Sequence, residues 1–130
     1  MTTEAINNRH YKRHYKSQLK AGDDFQIAGT IIKDDKRYYV VDNTELTNLV
    51  VSTTRLNAKQ STTGHRHAGQ EEVYIFTKGA GQMELDFNIF NVKEGSTVLI
   101  HDNVFHKVHN TTDFGLKFIC VFDGSRHVEK

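Results

Sequence analysis

From Phe25 to Phe122 the chain is a succession of short runs rich in Val, Ile, Tyr, Phe and Thr, each closed by Gly, Asp or Asn. The runs fall at residues 26–32, 37–41, 48–56, 72–77, 82–87, 97–101, 107–110 and 116–122. Turn residues separate them: Asp34–Asp35, Asp42–Asn43, Gly64, Gly69, Gly79, Gly81, Gly95, Asp102–Asn103 and Gly115. Many short strands at such spacing predict an all-β sandwich or barrel. No repeat, low-complexity tract or linker divides the chain, and 130 residues is the length of one domain. A domain of that length buries an adequate core without disulfide or metal staples, so a bound metal would serve function rather than folding.

Residues 1–22 have a different character. Arg9, Lys12, Arg13, Lys16 and Lys20 alternate with His10, Tyr11, His14 and Tyr15, and no acid lies between Glu4 and Asp23. Such a segment is either a basic aromatic arm for phosphate or nucleic acid, or a solvated N-terminal arm or helix packing on its own domain or a partner. The second reading is preferred, because five cations on a short segment are common on ordinary surfaces. The expected division is a basic arm over 1–22 and one β-barrel domain over 23–130. A formal net charge of +1 gives no overall electrostatic case for a nucleic-acid or membrane partner. Cys120 stands alone, so no intrachain disulfide forms. The first twenty residues lack a signal-peptide apolar run, and nothing approaches the ~18 consecutive apolar residues of a membrane span. A soluble, cytoplasmic protein is expected.

The chemistry concentrates in two stretches. In Gly64-His65-Arg66-His67-Ala68-Gly69-Gln70-Glu71-Glu72-Val73-Tyr74, extended backbone turns His65 and His67 to one face and Arg66 to the other. Two imidazoles so placed form a bidentate clamp suited to Zn, Fe, Ni or Cu, and a nearby carboxylate adds Mn. The alternation of Glu72, Tyr74 and Phe76 keeps that carboxylate facing the same interior. From Gly95 to Asn110, a strand turns at Asp102–Asn103 and leaves with His106, Val108 and Asn110 on one face, Lys107 and His109 on the other. If the sheet curls, His106 closes the site. Three histidines and a glutamate leave about two open positions on a six-coordinate ion, as catalysis requires.

These stretches resemble the paired signature motifs of the cupin superfamily. The first motif has two histidines one residue apart, then a glutamate three or four residues on, then six residues and a glycine; His65, His67, Glu72 and Gly79 fit. The spacing selects Glu72 over Glu71, because the residue seven beyond Glu71 is Lys78. In the second motif, Gly95, His106 and Asn110 fit. The departures lie in turns: Ala58-Lys59 replaces a Pro-Gly, and His101 and Asn103 stand at the Pro and Gly positions. Asn103 tolerates left-handed backbone, so that turn survives. The resemblance covers about residues 45 to 124. It implies a cupin-type double-stranded β-helix, a jelly-roll barrel, holding one divalent transition metal ion (Fe, Mn, Ni, Zn or Cu) with His65, His67, Glu72 and His106.

Around such a metal, alternation points Tyr74, Phe76, Met83 or Leu85, Val108, Phe118, Cys120 and Phe122 inward. All but Tyr74 read as core packing. The Tyr74 hydroxyl, on the Glu72 face, is placed to orient a substrate or act as an acid, so Glu72 and Tyr74 are the candidate catalytic residues. Cys120 reads as a buried apolar residue. His101 lines the pocket mouth or merely occupies a turn, His109 points outward, and His10, His14 and His127 are solvated. Three function classes stay open for a small-molecule ligand: sugar or sugar-phosphate isomerisation, which the resemblance favours, an iron-dependent dioxygenase, or a non-catalytic binding barrel. A phosphosugar isomerase needs cations at the barrel mouth, for which Lys78, Arg55 and Arg66 are the candidates. Val73 and Ile75 would present an apolar outer face, and the resemblance implies a homodimer.

Overall fold

The computed structural model describes residues 27–124, so the 1–22 segment and His127 lie outside the described residues. Nine strands form: β1 (Thr30–Asp34), β2 (Tyr38–Asn43), β3 (Leu49–Leu56), β4 (Glu72–Lys78), β5 (Ala80–Leu85), β6 (Asn88–Lys93), β7 (Thr97–Ile100), β8 (His106–His109) and β9 (Leu116–Asp123). A six-stranded sheet has the order β1-β2-β3-β9-β4-β7, and a three-stranded sheet the order β6-β5-β8. All pairings within both sheets are antiparallel. Inward residues of both sheets build one core, including Leu56, Phe76 and Phe118 from the larger and Met83 and Val108 from the smaller. The all-β barrel expected from the turn-broken runs is the fold observed.

Two elements differ from expectation. Residues 88–93 form β6, which shows no alternation because its first four residues are all exposed; only pairing with β5 makes it a strand. The run expected at 82–87 is β5 shifted two residues earlier, because Asp86 takes φ 51° and closes the hairpin. Similarly, β1 begins at Thr30 rather than residue 26, and Asp42 and Asn43 lie within β2 rather than in a turn.

The turn chemistry explains several motif positions. Gly79 has φ 88°, and a Cβ there would meet the Gly115 carbonyl oxygen at 2.5 Å. Only glycine fits both demands, which accounts for the end of the first motif. Asn103 sits at φ 65°, the left-handed geometry anticipated for it, and Lys59 at the other substituted glycine position has φ 63°. Asn110 is buried and donates from Nδ2 to the carbonyls of Leu56, Asn57 and Phe114 while its Oδ1 accepts from Thr112. The motif asparagine is therefore a strut between loops.

Candidate metal site

The inward phase of β4 is set by alternation: Glu72, Tyr74 and Phe76 are buried, while Val73 and Ile75 face out. On β8, His106 and Val108 face in and His109 out, as the sequence spacing predicts. His65 and His67 depart from their expected place on a strand. They lie on the loop before β4, where His65 makes a single antiparallel bridge to His106. The two residues exchange both backbone bonds, His65 N–H to His106 C=O at 3.0 Å and His106 N–H to His65 C=O at 2.8 Å. That bridge delivers the first motif to the second. Asn103 N–H to the His67 carbonyl, Arg66 to the Asn103 carbonyl and Gly69 N–H to the Asp102 carboxylate tie the two loops further.

One ligand atom from each of His67, Glu72 and His106 lies within 4.8 Å of the other two. Glu72 Oε1 is 3.1 Å from His106 Nε2 and 3.8 Å from His67 Nε2. Two donors each about 2.1 Å from one ion stand about 3.0–4.2 Å apart, so both separations suit a shared metal. Glu72 Oε1 is buried yet accepts no hydrogen bond, a costly state unless something else meets it. His106 Nδ1 lies 3.0 Å from the Val104 carbonyl, which can only accept. The proton therefore sits on Nδ1, and the Nε2 lone pair is left for a metal. These three residues fit a divalent ion. His65 stacks on His67 with ring centroids 5.3 Å apart and stands 6.1 Å from the His106 ring, beside the cluster rather than within it.

Electrostatics couple the same residues to one another. Burial alone would depress the His106 pKa, but Glu72 and the Val104 carbonyl overcome it and raise the value. His65 is lowered, chiefly by burial and then by His106, so its imidazole is neutral near pH 7. Burial, followed by the charge effects of Cys120 and Glu72, pushes the Tyr74 hydroxyl well above its ordinary value. The Tyr74 ring stacks on Phe118 at 5.3 Å and meets the His106 ring edge-on at 5.8 Å.

The cluster forms part of the wall of a cavity of about 560 Å³, which Tyr74, Phe118, Cys120 and Phe122 also line. Phe76, Met83 and Val108 are wholly in the core. His101 is exposed in the turn before β8, and its carbonyl accepts from Val104 N–H. His109 bonds Ser61 Oγ at 2.8 Å and Glu84 at 2.9 Å on the outer side. The cations expected at the mouth do not line the cavity. Arg55 lies over the Tyr39 ring, Arg66 is held by Asn103 and Asp86, and Lys78 is exposed. Sequence reasoning missed several polar residues that do line it, among them Lys33, Tyr38, Asp42 and Gln70. Gln70 is buried, donates from Nε2 to the Asp123 carbonyl and leaves Oε1 without a hydrogen bond. Its position two residues before Glu72 was the available signal.

Comparison with known proteins agrees with this geometry. A 56-residue segment, 43% of this chain, is 39% identical to an uncharacterized protein, MJ1618, of Methanocaldococcus jannaschii, and the match covers 45% of that protein, less than half its length. Among solved structures, a conserved Klebsiella pneumoniae protein with a double-stranded β-helix domain superposes with a TM-score of 0.65 at 14% identity, covering 72% of this chain and 82% of that one. A predicted oxalate decarboxylase of Thermotoga maritima gives a TM-score of 0.62 at 19% identity, covering 66% of this chain and 79% of that one. The fold is thus the double-stranded β-helix that the motifs imply. The family model of the cupin domain matches residues 52–122, more than half the chain and both histidine motifs, and the chain belongs to the cupin family.

Proposed function

We propose that this protein is a metal-dependent cupin enzyme that draws a small polar metabolite into its cavity and holds it against one divalent transition metal ion. His67, Glu72 and His106 are the core of the ligand set, and His65 completes it after a rotation of its stacked ring. The observation that carries the reading is the buried Glu72 oxygen, free of hydrogen bonds and flanked by two imidazole nitrogens at 3.1 and 3.8 Å. When bound, the ion supplies Lewis acidity to adjacent oxygens of the ligand. Glu72 is the carboxylate that receives a proton. Tyr74, whose hydroxyl keeps its proton at neutral pH and directs it to Cys120, orients the substrate by accepting a hydrogen bond from one of its hydroxyls.

Isomerase-like chemistry on an unphosphorylated polyhydroxy metabolite is favoured over a phosphosugar, because Arg55, Arg66 and Lys78 are turned away from the cavity. The likeness to a predicted oxalate decarboxylase keeps carboxylate substrates in view. The same reading takes the protein as cytoplasmic, in keeping with its single buried thiol, and as a homodimer through the outer face of the larger sheet.

The test is elemental analysis of protein purified without added metal, followed by a substrate screen with and without oxygen. About one equivalent of transition metal per chain is expected, greatly reduced in the His65→Ala/His67→Ala double variant. Equal metal in variant and parent defeats the site assignment. Turnover that consumes oxygen and ceases anaerobically would replace the isomerase reading with a dioxygenase.

A further inference from the structure

Lys33 occupies an unusual position. Of the five residues of β1 it alone is half-buried, and it lines the same cavity as the metal cluster. The cause is a β-bulge. Ile31 pairs with Val41, but the register then slips so that Lys33, rather than Ile32, pairs with Val40. Without the bulge Lys33 would face Tyr39 and point outward; with it, Lys33 sits opposite Val40, an inward residue that also lines the cavity. Bulges next to sites re-aim single side chains in this way. A lysine turned inward costs desolvation of its charge unless an anion meets it.

Two carboxylates, Asp42 and Glu72, line the same cavity, but neither is ion-paired to Lys33 among the described residues. Lys33 forms no ion pair among the described residues, and Nζ lies 5.1 Å from the centre of the Tyr38 ring. Tyr38 is buried, and its hydroxyl is hydrogen-bonded by Thr63, which lines the cavity too. Among the described residues Lys33 is the one lysine or arginine in that lining, which also carries Glu72 and the imidazoles. Lys33 in the lining, the Tyr38 and Thr63 hydroxyls beside it, and Arg37 behind them (4.9 Å from the Tyr38 ring centre and donating to Thr63 Oγ1 at 3.1 Å) form a cationic, hydroxyl-lined corner that suits a carboxylate. A phosphate dianion meets more repulsion than a carboxylate monoanion from Asp42 and Glu72, which line the same cavity.

Building on the metal reading above, we infer that the cavity is made for a small metabolite bearing a carboxylate, which Lys33, Tyr38 and Thr63 receive while its neighbouring hydroxyl or carbonyl oxygens face His67, Glu72 and His106. Lys33 is thus the residue that sets specificity for acids over neutral sugars.

Calorimetric titration of the metal-loaded protein tests this with matched probes: glucuronate, malate and citrate as carboxylates, glucose 6-phosphate and inorganic phosphate as phosphates, and glucose as the neutral parent. At least one carboxylate should bind in preference to glucose and to the phosphates. Lys33→Met should weaken that binding roughly tenfold or more, and Lys33→Arg should retain most of it. Metal content and thermal stability should be those of the parent in both variants, which separates lost recognition from a damaged fold. Unchanged affinity in Lys33→Met, preference for glucose or a phosphate, or binding of no carboxylate at all would overturn the inference. A parent protein that takes up no metal would instead defeat the metal reading itself.

Discussion

Glu72 Oε1 and His106 Nε2 stand 3.1 Å apart in the cavity wall, and with the neutral His106 proton on Nδ1 the two atoms face each other as acceptors. A pair that close without a shared proton in line is arranged for a third body. Replacing Glu72 by Gln keeps the shape and removes the charge. Metal affinity should then fall by about a hundredfold or more, measured by competition with a chromophoric chelator. In the metal-free protein the same change should lower the His106 pKa, because burial is then opposed only by the Val104 carbonyl; proton NMR of the imidazole reads this directly. Parental affinity in Glu72→Gln would remove Glu72 from the ligand set.

Cys120 supplies a pH dependence of definite sign. Burial, and next the Glu72 charge, raise its thiol pKa well above the ordinary value, more than offsetting the hydrogen bond from Tyr74. A raised acid pKa in the folded state means the unfolded chain loses its proton first. Stability is therefore full below the unfolded thiol value near ~8.5 and declines as pH rises past it, by up to about 1.4 kcal/mol per pH unit for this group. Urea denaturation between pH 8 and 10.5 should show a shallower alkaline decline for Cys120→Ala than for the parent. Identical slopes would mean the thiol does not hold its proton in the fold. The folded protein should also react slowly with a thiol reagent at pH 8 until urea exposes Cys120.

Much of the site was legible because strand period two is strict. Glu72, Tyr74 and Phe76 against Val73 and Ile75, and His106 and Val108 against His109, follow from counting alone. His65 and His67 share a side for a different reason, the bridge to His106, which no local pattern records. Lys33 was illegible because a bulge reverses the phase of everything beyond it, and bulges are settled by pairing with a neighbouring strand. The strand β6 escaped notice because an edge strand lying open to solvent has no buried face to impose alternation.

Asn103 tests whether the turn of the second motif depends on side-chain chemistry or on backbone geometry. At φ 65° a β-branched residue clashes with its own backbone, while glycine does not. The hydrogen bonds made there run through backbone atoms, Asn103 N–H to the His67 carbonyl and the Asn103 carbonyl from Arg66. Asn103→Val should therefore lose about 1–2 kcal/mol of stability, and Asn103→Gly should stay within about 0.5 kcal/mol of the parent. Thermal or denaturant unfolding distinguishes them. A large loss in the glycine variant would show that the side chain itself holds the turn. Because the His67 carbonyl anchors on this turn, the valine variant should also bind metal more weakly.

The outer face of the larger sheet carries a row of apolar side chains in register. Val51 pairs with Val121, Val121 with Val73, and Val73 with Leu99, while Ile75 pairs with Ile119 alongside. These are the residues out of phase with Ser52, Cys120 and Glu72, whose side chains face inward, so the row is the direct counterpart of the site on the other side of the same strands. Leu99 is 62% exposed at the strand β7 edge, where nothing else among the described residues covers it. A contiguous apolar row of this kind on one sheet is the sort of surface that a second copy buries, each Leu-sized side chain contributing about 1.5–3 kcal/mol when fully covered. The homodimer reading therefore predicts a dimer at micromolar concentration in sedimentation velocity. Leu99→Asp places a charge in that row on each subunit and, by the two-fold relation of such dimers, doubles the penalty. It should give monomer while leaving metal content and the unfolding midpoint of the isolated chain near parental values, because the substitution lies outside the barrel. A parent that sediments as a monomer, or a Leu99→Asp variant that remains dimeric, would place the interface elsewhere or remove it.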